Sequence, residues 1–256
     1  MTGNNLRRIL LTDRDRKLVA HLAEAKLLDR EQIQQLLDFG SITRANDRLS
    51  RLHSAGLLHR YFLGTVAGGR KAIYAVSARG AATVGQEKLW KLQRGEDELL
   101  VGEAFVEHQL AVNWCWISMK GGPEFNLIRF VRFNEPISKP IPLSPDGYAE
   151  LNVSGVVQPV FLEVDLGTET SKVWDRKVDL YLRLAASGEF ERKFNQPRFK
   201  IAVVCTSERR MQSIRRAVRK HTTKLFYFSL LQIIKRDGLI APHWLRPEEG
   251  AFQPLA

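Results

Sequence analysis

Three carboxylates in the second half of the chain have the types and spacing of a divalent-metal site. Glu163 and Asp165 lie two positions apart in the run FLEVDLGT, so on a β-strand they project from the same face. Asp146, in the run SPDGYAEL, begins the preceding strand-like segment and completes an oxygen site if the two strands are neighbours. Such a site suits Mg²⁺ or Mn²⁺, and the metal would polarise a phosphate and generate hydroxide. The three acids are therefore candidate metal ligands and catalytic residues.

Lys177 is a further candidate catalytic residue, a cation that could lie beside the three acids. It falls on the apolar face of a helix predicted over residues 170–186, together with Leu180, Tyr181 and Leu184. An unpaired ammonium on such a face is costly, so the pattern predicts that Lys177 pairs with an acid. The alternative is a lysine that snorkels to solvent or makes an ordinary ion pair.

Glu107 is a further candidate catalytic residue. It lies at the edge of an apolar stripe formed by Leu99, Leu110 and Trp114 in a helix predicted to begin near residue 98.

The N-terminal part of the chain carries five candidate DNA contacts. A helix predicted to begin after Ser41 keeps its apolar residues, from Ile42 to Leu52, within a sector of about 80°, and three arginines lie about 110° round from it. Arginine can fork onto guanine edges or pair with phosphates in the major groove. The five residues are Arg44, Arg48 and Arg51 on this helix, and Arg70 and Lys71 at the tip of a predicted hairpin.

Capping residues and periodicity predict two domains that position these side chains. In residues 1–90, Thr12, Asp29 and Ser41 begin three helices, and a hairpin follows Gly56. Residues 97–256 follow a linker-like stretch and read as α-β-β-β-α-β-α-β, in which the middle helix crosses over between strands. The predicted fold class is therefore α/β, of the α+β kind.

The charge favours a nucleic-acid partner. The chain has 39 Lys and Arg residues against 28 Asp and Glu, a net charge of +11, and its pI is near 9.9. Residues 1–90 hold 15 of the basic and 8 of the acidic residues. A second basic cluster lies at 208–224, where a solvated surface is the alternative reading. The sequence shows neither a membrane-spanning run nor a signal peptide, so a cytoplasmic protein is expected, associated with nucleoid or plasmid DNA.

The sequence contains no motif of four other common enzyme classes. The motifs of nucleotide hydrolysis, dinucleotide binding, serine hydrolysis and zinc proteolysis are absent. The two cysteines lie 90 positions apart, without the spacing of a zinc site.

Two resemblances follow from these motifs. The segment from RLSRLHSAGLLHR to YAVSARGAATVG resembles the recognition helix, wing and following helix of a winged helix-turn-helix domain. Pro145–Asp146 with Glu163–Val164–Asp165 resembles the PD-(D/E)XK nuclease-like fold. That resemblance implies metal-dependent DNA cleavage, but Asp165 stands where its motif expects lysine.

The combination of EHQLAVN, PDGYAEL and FLEVDLGTETSKVWDRKVDLY behind such an N-terminal domain resembles the replication-relaxation family of plasmid and integrative-element proteins. It implies a double-stranded-DNA-binding protein acting in plasmid replication or DNA relaxation or transfer, with replication or relaxosome proteins or a second copy of the chain as partners. A non-enzymatic transcriptional or origin-binding regulator, with a degenerate nuclease fold used for dimerisation or partner binding, is the alternative. An RNA-directed function is a third.

Overall fold

The computed structural model describes residues 9–64, 68–86, 99–100, 104–121, 125–248 and 250–255. The chain divides into two compact units, Met1–Asn113 and Trp114–Ala256. Both units combine helices with a β-sheet, which confirms the predicted α+β class. The linker-like stretch predicted at residues 91–98 lies outside the described residues.

Three capped helices open the first unit, as predicted. Thr12 and Asp29 each form a capping box with the residue three positions on, and the Ser41 hydroxyl accepts the backbone N–H of Arg44. These side chains satisfy backbone donors that a helix start would otherwise leave unpaired. The helices are α1 (Asp13–Ala25), α2 (Arg30–Leu37) and α3 (Ile42–Ser54).

A small sheet in the order β1-β3-β2-β4 completes the first unit. Its strands are β1 (Leu28–Asp29), β2 (Leu58–Gly64), β3 (Arg70–Val76) and β4 (Leu99–Leu100). Strands β2 and β3 form the predicted antiparallel hairpin, and the short helix α4 (Ala78–Ala82) follows it. Gly80 in α4 lies so close to the preceding chain that an added Cβ would be 2.1 Å from the Leu57 carbonyl oxygen.

Two predictions about this unit are wrong. Leu99 lies in β4, paired parallel to β2, and helix α5 begins only at Ala104, in the range Ala104–Ser118. A two-residue strand is too short to show the alternation that identifies one. Ile42 is exposed, although Ala45 and Leu49 of the same predicted sector are buried, because Ile42 lies in the first turn of α3, beyond the packed part of the helix.

The second unit is built on a five-stranded mixed sheet in the order β5-β6-β7-β8-β9. The strands are β5 (Phe125–Val131), β6 (Gly147–Val153), β7 (Val156–Asp165), β8 (Lys200–Cys205) and β9 (Phe226–Leu230). Strands β5, β6 and β7 are antiparallel, and β7, β8 and β9 are parallel. Helices α6 (Ser171–Ala186) and α8 (Glu208–Arg219) connect the parallel strands, as the predicted crossover requires. The short helices α7 (Glu189–Phe194) and α9 (Leu231–Asp237) were not predicted.

The core of this unit is aromatic. Phe161 on β7 contacts the rings of Tyr148, Phe190 and Phe199, with centroids 5.1 to 5.8 Å apart. Tyr181 of α6 packs against the same cluster. Helix α6 is therefore fixed on the sheet, which sets the positions of its polar side chains.

The two edges of this sheet differ. The register of β5 against β6 shifts between Leu127 and Arg129, which marks a β-bulge. On the other edge, Phe228 of β9 exchanges two backbone hydrogen bonds with Leu245, at 2.8 and 3.0 Å. Within the described ranges, no helix is long and apolar enough to cross a membrane.

Candidate functional sites: a carboxylate cluster and a basic helix face

Asp165, at the carboxyl end of β7, is fully engaged by protein donors. Arg210 donates from Nε to Oδ1 at 2.6 Å and from Nη2 to Oδ2 at 2.7 Å. The backbone N–H of Gly167 donates to Oδ1 at 2.7 Å, and Trp174 Nε1 donates to Oδ2 at 2.9 Å. Since a carboxylate offers about four lone-pair sites, these four bonds use its acceptor capacity.

The pKa of Asp165 reflects this environment. Burial alone would raise the pKa, but the hydrogen bonds from Arg210, Trp174 and Gly167 outweigh it, so the pKa lies below its ordinary value. The carboxylate is therefore ionised at neutral pH and paired with a guanidinium.

Glu163 has a second set of partners. Lys177 Nζ donates to Oε2 at 2.8 Å, and the Tyr181 hydroxyl donates to Oε1 at 2.6 Å. Lys177 also lies 2.8 Å from Glu169 Oε1. The prediction that Lys177 pairs with an acid is confirmed.

Burial raises the pKa of Glu163 to about 7, with the nearby charge of Asp146 acting in the same direction and Lys177 opposing both. A carboxyl with this pKa exchanges its proton near neutral pH.

Asp146 lies close to Glu163, as the neighbouring strands require, but it forms hydrogen bonds with the backbone of β7. Its Oδ2 accepts the Val164 N–H at 2.7 Å, and its own N–H donates to the Leu162 carbonyl at 3.1 Å. These bonds join the start of β6 to β7.

The three acids do not fit the predicted cation site. In the described part of the chain, no three Asp, Glu, His or Cys side chains form a group that could hold a metal ion. The physical reason is that Asp165 is saturated by Arg210, Trp174 and Gly167, whereas a ligand for Mg²⁺ or Mn²⁺ needs open lone pairs. Glu107 is exposed on the part of α5 that belongs to the first unit, and the three acids belong to the second.

The candidate DNA contacts of α3 fall into two groups. Arg44 and Arg51 are exposed, and seven residues along a helix place them about 10 Å apart on nearly the same side. Arg48 between them is partly buried and donates from Nε to Asp15 Oδ1 at 2.7 Å, with a second bond from Nη2 to Oδ2. Arg48 therefore joins α3 to α1.

Replacing Arg48 with alanine is expected to lower the free energy of unfolding by about 1–3 kcal/mol, because buried Asp15 loses its cation but keeps its bonds to Thr12. Burial alone would raise the pKa of Asp15, but the hydrogen bonds from Arg48 and Thr12 lower it by more, so the pKa lies below its ordinary value. The contribution is present at neutral pH and fades as the pH falls through that lowered pKa. Urea unfolding measures it, and Arg51→Ala, which removes an exposed arginine of α3, is the control. Equal effects of the two changes would contradict the assignment.

The hairpin contributes one exposed cation and one engaged cation. Arg70 is exposed at the start of β3. Lys71 lies 2.5 Å from buried Asp29 Oδ2 and 3.7 Å from Glu31 Oε2. Lys71 therefore holds the hairpin against the start of α2.

The sequence pattern does not identify Arg14 as a residue of the basic surface beside α3. A groove of about 520 Å³ beside α3 is lined by Arg14, Arg44 and Arg48, and the Arg14 guanidinium lies 5.1 Å from the centre of the Phe39 ring. Arg14 stands in the first turn of α1, where the pattern shows only that it lies off the apolar stripe. The contact depends on how α1 meets the end of α2, which periodicity does not contain.

Comparison with known proteins gives one match. The model of the replication-relaxation family matches residues 19–197, more than two thirds of the chain. No curated protein matches, and no solved structure matches.

Proposed function

The chain belongs to the replication-relaxation family, which connects it with the replication or relaxation of mobile elements, and we propose that it acts there by binding double-stranded DNA through α3 and the β2–β3 hairpin. In this proposal the first unit is a winged helix-turn-helix domain, and α3 enters the major groove.

The observation that carries the proposal is the exposed pair Arg44 and Arg51 on a helix whose apolar side is buried. Ala45, Leu49 and Leu52 bury the apolar side of α3, about 110° round from the arginines, so the helix presents one fixed face. The major groove, about 12 Å wide, admits an α-helix, and the two arginines would lie about 10 Å apart along it. Exposed Thr43, Asn46 and Ser50 on the same helix are residue types that read base edges, while the two arginines supply phosphate contacts.

Arg70 supplements this face from the hairpin. It is exposed, it has no carboxylate within ion-pair distance among the described residues, and it lies where a wing meets backbone phosphates. Arg48 and Lys71 help to position this surface, because each forms an ion pair within the first unit, with Asp15 and Asp29 respectively.

We infer that the second unit keeps its carboxylates as a structural network and does not cleave DNA with a divalent metal. Glu163 and Asp165 are buried and each already has a cation of the chain, Lys177 for Glu163 and Arg210 for Asp165. A metal would have to displace Arg210 and Trp174 from Asp165. Supercoiled DNA incubated with the protein and Mg²⁺ or Mn²⁺ is therefore expected to stay intact, and cleavage that Glu163→Ala abolishes would overturn this inference.

The double variant Arg44→Ala/Arg51→Ala tests DNA binding. It is expected to weaken binding to a short labelled duplex by at least about tenfold, which is about 1.4 kcal/mol. The slope of log affinity against log salt should fall by about 1.8, since each lost phosphate contact removes about 0.9. Fluorescence anisotropy across a salt series measures both quantities.

The matched control is Arg16→Ala/Lys17→Ala, which removes the same charge from exposed positions of α1. It should change the affinity by less than about twofold. If the control loses as much as the α3 variant, the first unit attracts DNA by charge alone, and the proposed face is not the binding surface.

A further inference from the structure

A groove in the second unit collects positive charge without a balancing carboxylate. Its volume is about 530 Å³, and its lining includes four cationic side chains and neither Asp nor Glu. The four are Arg198, Lys200, Lys224 and Arg246. None of them forms an ion pair among the described residues.

The groove lies at the amino ends of the parallel strands. Lys200 begins β8, Tyr227 is the second residue of β9, and Pro159 lies in the first half of β7. Glu163 and Asp165 occupy the carboxyl end of β7, so the groove is separate from the carboxylate cluster described above.

Two of the cations are held in place by the protein. Arg246 donates from Nη1 to the Tyr227 hydroxyl at 2.7 Å and from Nη2 to the Thr223 carbonyl at 2.9 Å. Lys200 Nζ donates to the Leu255 carbonyl at 2.6 Å. Both cations lie over the Tyr227 ring, 4.6 Å from its centre for Arg246 and 5.6 Å for Lys200. These contacts hold both side chains in defined positions at the groove.

The cluster has a hydrogen-bond donor and positive charge that an anionic ligand could use. Arg246 Nε is buried and has no acceptor among the described residues, although a buried donor without a partner is costly. The pKa of Lys200 lies below its ordinary value because of burial and of the charges of Arg198 and Arg246. An anion between these groups would satisfy the donor and relieve the repulsion.

We propose that this groove binds the phosphate groups of a nucleotide, either free or as part of a single strand. Guanidinium and ammonium groups together suit phosphate oxygens, which arginine contacts through two parallel N–H donors. A volume of about 530 Å³ is larger than one phosphate needs and lies within the range of small-ligand sites, about 300–1,000 Å³. The site goes beyond the duplex binding proposed above, because it belongs to the other unit.

The first test measures binding of inorganic pyrophosphate to the full chain by calorimetry without divalent metal. Arg198→Ala/Lys224→Ala removes two exposed cations from the groove and leaves the hydrogen bonds of Lys200 and Arg246 in place. The expected result is an affinity lower by at least about tenfold. The matched control Lys172→Ala/Arg176→Ala removes two exposed cations of α6 outside the lining and should bind like the wild type. Equal affinities of the two variants would overturn the proposal.

Competition then separates the two sources of the phosphate. Displacement of pyrophosphate by thymidine triphosphate but not by a short oligothymidylate identifies a free nucleotide. Displacement by the oligothymidylate at lower concentration identifies a strand, and its salt slope should fall by about 0.7 for each groove cation removed. If pyrophosphate binds and neither competitor displaces it, the nucleotide assignment is wrong. The Arg44→Ala/Arg51→Ala variant should keep this binding, so failure of the duplex proposal and failure of this one give different results.

Discussion

Replacing Arg210 with alanine is expected to destabilise the second unit by about 3–5 kcal/mol, because the change leaves a buried carboxylate without its cation. Asp165 receives two of its four hydrogen bonds from Arg210. Trp174 and Gly167 would remain as neutral donors and would not balance the charge. Urea unfolding followed by tryptophan fluorescence measures the loss, since Trp174 itself contacts Asp165.

The neighbouring variant Arg209→Ala is the control for this prediction. Arg209 is exposed in the same turn of α8, so its loss should cost less than about 0.5 kcal/mol. Because the pKa of Asp165 is lowered, its contribution is present at neutral pH and fades as the pH falls through that pKa. The difference between Arg210→Ala and the wild type should therefore shrink in acid. A loss no larger than that of the control would show that the ion pair does not stabilise the unit.

Replacing Lys177 with methionine is expected to change how stability depends on pH. The pKa of Glu163 is raised to about 7, so the folded wild type binds this proton more tightly than the unfolded chain. Its contribution is complete below about pH 4.5 and is lost as the pH rises to about 7. Without the ammonium, the pKa of Glu163 rises further, and the variant continues to lose stability above about pH 7, where the wild type levels off.

The expected cost of Lys177→Met is about 3 kcal/mol near pH 9 and less than about 1 kcal/mol near pH 5, where Glu163 is protonated in both proteins. Urea unfolding at several pH values measures it. Adding Glu163→Gln should remove the extra pH dependence, because the amide still accepts from Tyr181 and carries no charge. Lys172→Met, at an exposed position of α6, should leave the profile unchanged. Parallel profiles for Lys177→Met and the wild type would contradict the pairing.

The regular elements could be predicted because their signals are local. Thr12, Asp29 and Ser41 cap helices through contacts three residues away, and the run IAVVC in β8 is continuously apolar because both of its faces are covered. Strand β4 and helices α7 and α9 were missed because each is too short for its periodicity to be distinguished from chance.

The carboxylate cluster was predicted in composition, and Lys177 was predicted to pair with an acid, but the partner of Asp165 was not predicted. The sequence brings Asp146, Glu163 and Asp165 together and places Lys177 among acids, but it treats Arg210 only as part of a basic cluster. A topological signal was available: Asp165 pairs in register with Cys205 on the parallel strand β8, and Arg210 follows in the next helix. The sequence pattern gives strands and helices one at a time, so contacts between the ends of parallel strands appear only when the strand order is known.

The two edge strands of the sheet in the second unit restrict how one copy of the chain could join another. At β9 the backbone groups of Phe228 are already used by Leu245, so an incoming strand finds this position occupied. At β5 the bulge between Leu127 and Arg129 interrupts the even ladder of donors and acceptors that strand addition requires. Extension of the sheet from copy to copy is disfavoured at both edges, which protects a chain of this β-content from ribbon-like aggregation. Any self-association of the second unit must then use side-chain surfaces rather than shared backbone hydrogen bonds.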